Sequence, residues 1–135
     1  MIDLSLVVPV YNEKDNLPLL MDAILSAMAS IKKKWEVVFV DDGSKDGSLE
    51  VLEGLVNRYP EYVRAVVFRR NFGQTAAITA GIDHSHGGII VLLDADMQND
   101  PADIPMLLEK LDEGYDLVSG WRKDRKDNRL TRTIP

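Results

Sequence analysis

The sequence predicts an α/β fold in which an open, mainly parallel sheet carries helices on both faces. Short apolar runs rich in β-branched residues alternate with segments whose apolar residues recur at helical spacing. The runs are continuously apolar, as expected of strands buried on both faces. Strands that alternate with helices favour a parallel sheet. With 135 residues, 45% of them hydrophobic, the chain has the size of one domain with its own core.

The elements follow one another in a regular order. We predict five strands, at residues 4–10, 36–40, 64–69, 89–93 and 115–120. Helical spacing of apolar residues predicts helices at residues 17–31, 49–59 and 104–111, and small residues fill a further helix at 73–84. Small residues would let that helix pack closely on the sheet. The last helix could begin after Asp100 or after Asp103, since each is followed closely by a proline.

Composition excludes several classes of protein. Cysteine is absent, which removes disulfides, thiolate metal sites and cysteine nucleophiles. A net charge of −6 argues against nucleic-acid binding. No apolar stretch approaches the roughly 20 residues of a membrane helix, and no G-x-G-x-x-G or Walker loop is present. Residues 122–135 hold six basic residues against two acidic ones, which fits either a solvated tail or a patch for an anionic ligand or lipid surface.

Residues that are unusual for a buried strand gather where the predicted strands end. They are Pro9, Tyr11 and Glu13, then Asp41 and Asp42, then Asp94 and Asp96, and finally Arg122. Ligands of open parallel sheets bind beyond the carboxyl ends of the strands, so we predict a ligand site at this edge. Acids as close as Asp94 and Asp96 resist joint ionisation unless a cation lies between them.

A divalent metal is the cation that these residues fit. In an extended segment, alternation would point the side chains of Asp94, Asp96 and Gln98 to the same side. Oxygen ligands suit Mg²⁺ or Mn²⁺, and Mg²⁺ is commonly held by one or two carboxylates plus substrate phosphates. The alternative is that these acids simply end a strand in solvent.

The segment "DDGSKDGSLEVLE" nearly matches a calcium-binding EF-hand loop that begins at Asp42 and ends at Glu53. Such a loop is entered from a helix, whereas this one follows the strand-like "VVFV". We therefore favour a strand-to-helix loop in which Asp42 hydrogen-bonds a ligand and Ser44 or Asp46 caps the next helix. A structural cap explains Asp46 well and Asp42 poorly.

The histidines and aromatic residues carry weaker signals. His84 and His86 lie near a predicted helix end, where exposure is a better explanation than metal binding. Tyr11 could stack on a base or cover the sheet edge, and Trp35 and Trp121 are expected to pack.

Three motifs together carry a resemblance. "VVPVYNE", "VDDGSKDGS" and "LDADMQNDP", in this order and spacing, resemble the family 2 glycosyltransferases of GT-A fold, whose sheet is Rossmann-like. "RRNFGQTAAITAGID" and "GYDLVSGWRKDR" resemble the narrower group of polyprenyl-phosphate sugar transferases, which includes dolichyl-phosphate mannose synthase and bacterial undecaprenyl-phosphate glycosyltransferases. The resemblance covers essentially the whole chain.

The resemblance implies roles for individual residues. Nucleotide binding would involve Pro9, Tyr11, Glu13, Asp42, Asp94 and Ala95. The metal, Mg²⁺ or Mn²⁺, would be surrounded by Asp94, Asp96 and Gln98. Asp94, Asp96 and Arg122 would be the catalytic residues, and Arg122, with Arg132 as a weaker match, would address the acceptor phosphate.

The implied reaction transfers a hexose from a UDP- or GDP-sugar to a polyprenyl phosphate. A metal between the acids and the diphosphate stabilises the leaving group. Because a lipid phosphate is already an anion, no general base is needed, and arginine offsets its repulsion from the diphosphate. Direct displacement would invert the anomeric carbon. Two alternatives stay open: a family 2 enzyme that extends a polysaccharide with a base beyond Pro135, and a non-catalytic nucleotide- or calcium-binding module.

We expect residues 1–135 to be the N-terminal nucleotide-sugar-binding catalytic domain, truncated from a longer membrane-associated protein. The chain stops at Pro135, before the later basic residues and membrane-associated helices that the resemblance implies. The full-length protein would work at the cytoplasmic face of the membrane, reached through segments absent here, whereas this fragment would be soluble. It could also form a homo-oligomer.

Overall fold

A computed structural model of the chain describes residues 1–114. The elements are β1 (Leu4–Val10), α1 (Asn16–Met28), β2 (Trp35–Asp41), α2 (Ser48–Arg58), β3 (Val63–Val67), α3 (Gln74–Asp83), β4 (Ile89–Leu92), a 3₁₀ turn (Pro101–Asp103) and α4 (Ile104–Asp112). The predicted fifth strand and the arginines Arg122 and Arg132 lie outside the described residues. No helix within residues 1–114 is both long enough and apolar enough to cross a membrane.

The sheet has the order β3-β2-β1-β4, and every pair of neighbouring strands is parallel. The chain first runs outward from β1 through β2 to β3 and then returns to place β4 on the other side of β1. The carboxyl ends of β1 and β4 therefore flank the point where the direction of winding reverses, which is where open α/β sheets bind ligands. The predicted α/β class with a parallel sheet is confirmed.

Helices cover both faces of the sheet, as predicted. On one face, Leu6, Val8 and Phe39 belong to a core that includes buried residues of α1, α2 and α4. On the other face, Val38 and Val40 pack against Ala77 of α3. The predicted close packing of this small-residue helix is also confirmed, because a Cβ built on Gly81 would lie 2.4 Å from Cγ1 of Val7.

Both predicted start signals near the last helix are used. The Asp100 carboxylate accepts a hydrogen bond from the backbone N–H of Ala102 at 2.9 Å and so caps the 3₁₀ turn. The α-helix begins three residues later at Ile104, with Pro105 in its first turn, where a missing N–H costs no helical hydrogen bond. β3 ends at Val67, two residues earlier than predicted, because the chain leaves the sheet there for a loop that contacts the end of β2.

A buried carboxylate joins three segments at the amino end of the sheet. Glu36 of β2 is fully buried and accepts hydrogen bonds from the Ser5 hydroxyl and from the backbone N–H of His86, both at 2.7 Å. The His86 ring nitrogen Nδ1 lies 3.1 Å from the same carboxylate, and the Ser5 hydroxyl accepts from the N–H of Gly87 at 2.8 Å. This Ser5–Glu36–His86 network fixes the turn from which the chain enters β4.

The network also controls the ionisation of Glu36. Burial by itself raises the pKa of this carboxyl group, but hydrogen bonds from Ser5 and from the backbone N–H and ring of His86 outweigh it and leave the pKa below its usual value. His86, expected from its position to be an exposed helix end, therefore has a structural partner, although 65% of its side chain is exposed.

Candidate functional site

Four loops lie at the carboxyl edge of the sheet, where the predicted ligand residues converge. We number them by the strand they follow: loop 1 is residues 11–15, loop 2 is residues 42–47, loop 3 is residues 68–73 and loop 4 is residues 93–100. Neighbouring strands are about 4.8 Å apart, so the sheet order places loop 4 beside loop 1 and spreads all four over about 15 Å.

Loops 1 and 2 are interlocked by hydrogen bonds. The N–H of Asn12 donates to the Ser44 hydroxyl, and the Asn12 side-chain oxygen accepts from the N–H of Lys45, both at 2.8 Å. The N–H of Lys14 donates to Asp46 at 3.2 Å. Asn12 has a φ of 54°, a left-handed conformation that asparagine adopts more readily than most residues. The two loops therefore form one braced unit.

The start of α2 depends on Asp46 rather than Ser44. The Asp46 carboxylate accepts from the backbone N–H of Ser48 at 3.0 Å and from its hydroxyl at 2.6 Å. The hydrogen bond from the Ser48 hydroxyl is the largest contribution to the lowered pKa of Asp46. Ser44 does not cap the helix, because its hydroxyl accepts from loop 1. Of the two candidates that the sequence offered, Asp46 is the one that bonds the start of α2, although the N-cap position itself is Gly47.

The same contacts argue against a calcium loop. The segment follows strand β2 and not a helix, and the acids at its first and fifth positions, Asp42 and Asp46, accept hydrogen bonds from backbone N–H groups. Within residues 1–114, no three His, Cys, Asp or Glu side chains are grouped closely enough to hold a metal ion.

Asp42 holds loop 3 in place, a role that sequence reasoning missed. Its carboxylate accepts from the N–H groups of Phe72 at 2.7 Å and Gly73 at 3.0 Å, and from the Asn71 side-chain amide at 3.2 Å. Asp42 is only 4% exposed. The neighbouring Gly43 has a φ of 77°, and a Cβ there would lie 2.4 Å from the backbone carbon of Arg70. The nucleoside contact expected of Asp42 stays a prediction.

The other nucleoside candidates differ in accessibility. Tyr11 is 46% exposed and is free to meet a ligand at the end of β1. Pro9 is half-buried within β1. Glu13 is also half-buried, and its carboxylate accepts from the side-chain amide of Asn16 at 3.0 Å. Asp41 is 2% exposed: its Oδ2 accepts from the N–H of Ser44 in loop 2 at 3.2 Å, and its Oδ1 has no hydrogen-bond partner among the described residues.

Loop 4 carries the acids of the predicted metal site, but it turns where an extended segment was expected. Asp94 is half-buried, Ala95 is buried and Asp96 is exposed. Met97 has a φ of 66°, and the N–H of Gln98 donates to the Asp96 carboxylate at 3.1 Å. The prediction that alternation along an extended strand aligns Asp94, Asp96 and Gln98 is therefore wrong, because a tight turn brings Gln98 back toward Asp96.

A left-handed φ is unfavourable for a side chain such as that of methionine and costs on the order of 1–3 kcal/mol. Such residues cluster at functional sites, where the surrounding structure enforces the conformation. The side-chain oxygen of Asn99 accepts from the N–H of Asp94 at 3.3 Å, so loop 4 is held by its own side chains. Met97 and Asn12, the two non-glycine residues of residues 1–114 with positive φ, lie in the adjacent loops 4 and 1.

Comparison with known proteins assigns the chain that carries these loops to a family. Residues 5–135 match the family model described as "Glycosyl transferase family 2". Dodecaprenyl-phosphate galacturonate synthase of Rhizobium johnstonii is 45% identical, over 99% of this chain and 40% of its own length. Undecaprenyl-phosphate 4-deoxy-4-formamido-L-arabinose transferase of Edwardsiella ictaluri is 47% identical, over 92% of this chain and 38% of its own length. The chain thus spans about two fifths of these relatives.

Solved structures agree on the fold. A mannosyltransferase from Pyrobaculum calidifontis, in complex with GDP-Man and Mn²⁺, matches 69% of this chain and 27% of its own with a TM-score of 0.62 and 29% identity. Glucosyl-3-phosphoglycerate synthase from Mycobacterium tuberculosis, in complex with UDP, matches 81% of this chain and 39% of its own with a TM-score of 0.62 and 24% identity. The resemblance to polyprenyl-phosphate sugar transferases and the GT-A-like fold are confirmed, and the chain belongs to glycosyl transferase family 2.

Proposed function

We propose that this chain is the nucleotide-sugar-binding catalytic domain of a metal-dependent, inverting glycosyltransferase whose acceptor is a polyprenyl phosphate. The donor is a UDP- or GDP-sugar, and the full-length protein works at the cytoplasmic face of a membrane. The observation that carries the proposal is the pair Asp94 and Asp96 in a strained turn at the reversal point between β1 and β4. Relatives named for dodecaprenyl and undecaprenyl phosphate support the acceptor.

The donor atoms of loop 4 fit a hard divalent cation. Asp94 and Asp96 offer carboxylate oxygens and Gln98 offers an amide oxygen, which are ligands that Mg²⁺ and Mn²⁺ prefer. A Mg²⁺ ion held by one or two carboxylates commonly takes substrate phosphates as further ligands. When bound, such an ion stabilises the negative charge of a leaving nucleoside diphosphate.

The braced loops 1 and 2 supply a rigid floor for the rest of the donor. Hydrogen bonds between them fix Asn12 and Ser44, and Asp42 fixes loop 3. A surface held in this way needs little reorganisation when a ligand binds, which favours precise placement of the reacting sugar. Tyr11 is exposed and follows β1, the strand that lies between β2 and β4.

The acceptor chemistry explains why no general base is nominated. A lipid phosphate attacks as an anion, so the residues must overcome repulsion between two anionic substrates. Arg122 and Arg132, which lie outside the described residues, are proposed to do this as charge-assisted donors. We do not restrict the transferred sugar to a hexose, because one relative is named for an arabinose derivative.

The test is a transfer assay with the full-length protein and Mn²⁺. A panel of UDP- and GDP-sugars is offered together with either undecaprenyl phosphate or a soluble oligosaccharide. We expect product on the lipid phosphate, with the anomeric configuration inverted when it is determined by NMR. Product on the oligosaccharide alone would refute the proposal in favour of a polysaccharide-extending enzyme.

A further inference from the structure

Loop 3 presents an aromatic ring to solvent at the carboxyl edge of the sheet. Phe72 is 54% exposed although it lies next to the buried Asp42, whose carboxylate accepts from its backbone N–H at 2.7 Å. A large apolar side chain in an exposed position adds little to the stability of the fold. The loop is nevertheless fixed by three hydrogen bonds to Asp42, so the ring is held at the edge on a rigid backbone.

Two neighbours buttress the ring. Phe68 meets it edge to face, with the ring centroids 5.5 Å apart and the planes at 87°. The guanidinium carbon of Arg70 lies 4.6 Å from the centroid of the Phe72 ring, within the range of a cation–π contact. Arg70 forms no salt bridge within residues 1–114, so the aromatic ring is its principal partner there. These contacts orient the ring and leave part of it accessible.

A second exposed ring lies across the end of β2. Tyr11 follows β1 and Phe72 follows β3, and β2 lies between those strands. Two strand spacings put the ends of β1 and β3 about 10 Å apart, which leaves room for one planar ligand between side chains that rise from them. The buried Asp42 links the two segments, because its N–H donates to the carbonyl of Val10 at 2.8 Å and its carboxylate accepts from the N–H of Phe72 at 2.7 Å.

We propose that Phe72, backed by Arg70, is a stacking wall for the nucleobase of the donor, opposite Tyr11. This inference rests on the proposed function, because it assigns the end of the nucleotide remote from loop 4. A purine or pyrimidine has a flat π-face, and stacking on an aromatic side chain tolerates either base. Arg70 contacts the ring through its guanidinium group, and stacking on the ring itself involves no hydrogen bond that would select one base.

Calorimetry of the protein with UDP and with GDP, each in the presence of Mn²⁺, tests this wall. We expect Phe72→Ala to weaken binding of both nucleotides roughly tenfold, the scale of stacking on one aromatic residue. Phe72→Trp should keep near wild-type affinity. Ile82→Ala, which removes a 43% exposed apolar side chain on α3, is the matched control and should change nothing.

Binding of Mn²⁺-pyrophosphate, which has no base, separates stacking from damage to the site or the fold. It should be unaffected by Phe72→Ala. Equal weakening of pyrophosphate binding would overturn the inference, as would unchanged affinity for both nucleotides. A loss seen with a nucleotide sugar but not with UDP or GDP would also overturn it, by assigning the ring to the sugar. If the unaltered protein bound pyrophosphate and neither nucleotide, the proposed function itself would fall.

Discussion

Replacing the buried Glu36 tests how the sheet is held together beneath the site. Glu36→Ala leaves the Ser5 hydroxyl and the backbone N–H of His86 without the acceptor that each now meets at 2.7 Å. A buried donor left unsatisfied costs about 1–3 kcal/mol, so the two together should remove about 2–6 kcal/mol from the free energy of unfolding. That is a large share of the roughly 5–15 kcal/mol typical of a domain. Glu36→Gln keeps an acceptor and should cost about 1 kcal/mol.

Urea denaturation followed by fluorescence of the neighbouring Trp35, which is 8% exposed, would measure these losses. Glu53→Ala, which removes an exposed glutamate from α2, is the control and should shift the midpoint little. A loss below about 1 kcal/mol for Glu36→Ala would refute the reasoning, because it would mean that the network adds almost nothing.

The pH dependence gives an independent check of the same residue. Because the folded-state pKa of Glu36 lies below the ordinary value of 4.5, its ionisation adds stability that is present above that value. This contribution is lost as the pH falls through the lowered folded pKa. The difference in stability between the wild type and Glu36→Gln should therefore narrow as the pH falls below 4.5. A difference that is constant or that widens in this range would contradict the assignment.

Further substitutions test the close approach at Gly43, the strain at Met97 and the role of Arg122. Gly43→Ala should lower the free energy of unfolding by about 2 kcal/mol or more, because the new Cβ would meet the backbone of loop 3. The control Gly54→Ala in α2, which has open space around it, should raise the free energy of unfolding by about 0.5–1 kcal/mol. Equal effects of the two substitutions would contradict the close approach at Gly43. Met97→Gly should keep or increase stability, and Met97→Ile should lower it by about 1 kcal/mol or more; a loss with glycine would argue against strain. Arg122→Ala should reduce turnover far more than nucleotide affinity. The control Lys32→Ala, at the opposite end of the sheet, should alter neither. An unchanged turnover rate for Arg122→Ala would count against its role at the acceptor.

Sequence patterns predicted the elements well because those patterns are local. β1 has the predicted bounds, since a β-branched run followed by a turn leaves few alternatives. The proximity of Asp94 to the end of β1 followed from a general rule about the edge of parallel sheets and needed no side-chain detail. Ordinary helix-start preferences narrowed the cap of α2 to Ser44 or Asp46 but did not choose between them.

The roles that were missed depend on partners far away in the chain. Asp42 accepts from residues 29 to 31 positions later, and Glu36 accepts from a residue 50 positions later. Nothing within a short window distinguishes such a carboxylate from one that faces solvent. The turn at Met97 was missed for another reason, because methionine is not a residue that signals a left-handed conformation.

Metal-dependent nucleotide binding tests the central claim most directly. In a thermal-shift assay, UDP or GDP should raise the unfolding temperature of the protein only when Mn²⁺ is present, since a ligand that prefers the folded state adds stability. Asp96→Ala should abolish that shift while its own unfolding temperature without ligand stays near that of the wild type, because the side chain is exposed in loop 4. An undiminished Mn²⁺-dependent shift in Asp96→Ala would contradict the account.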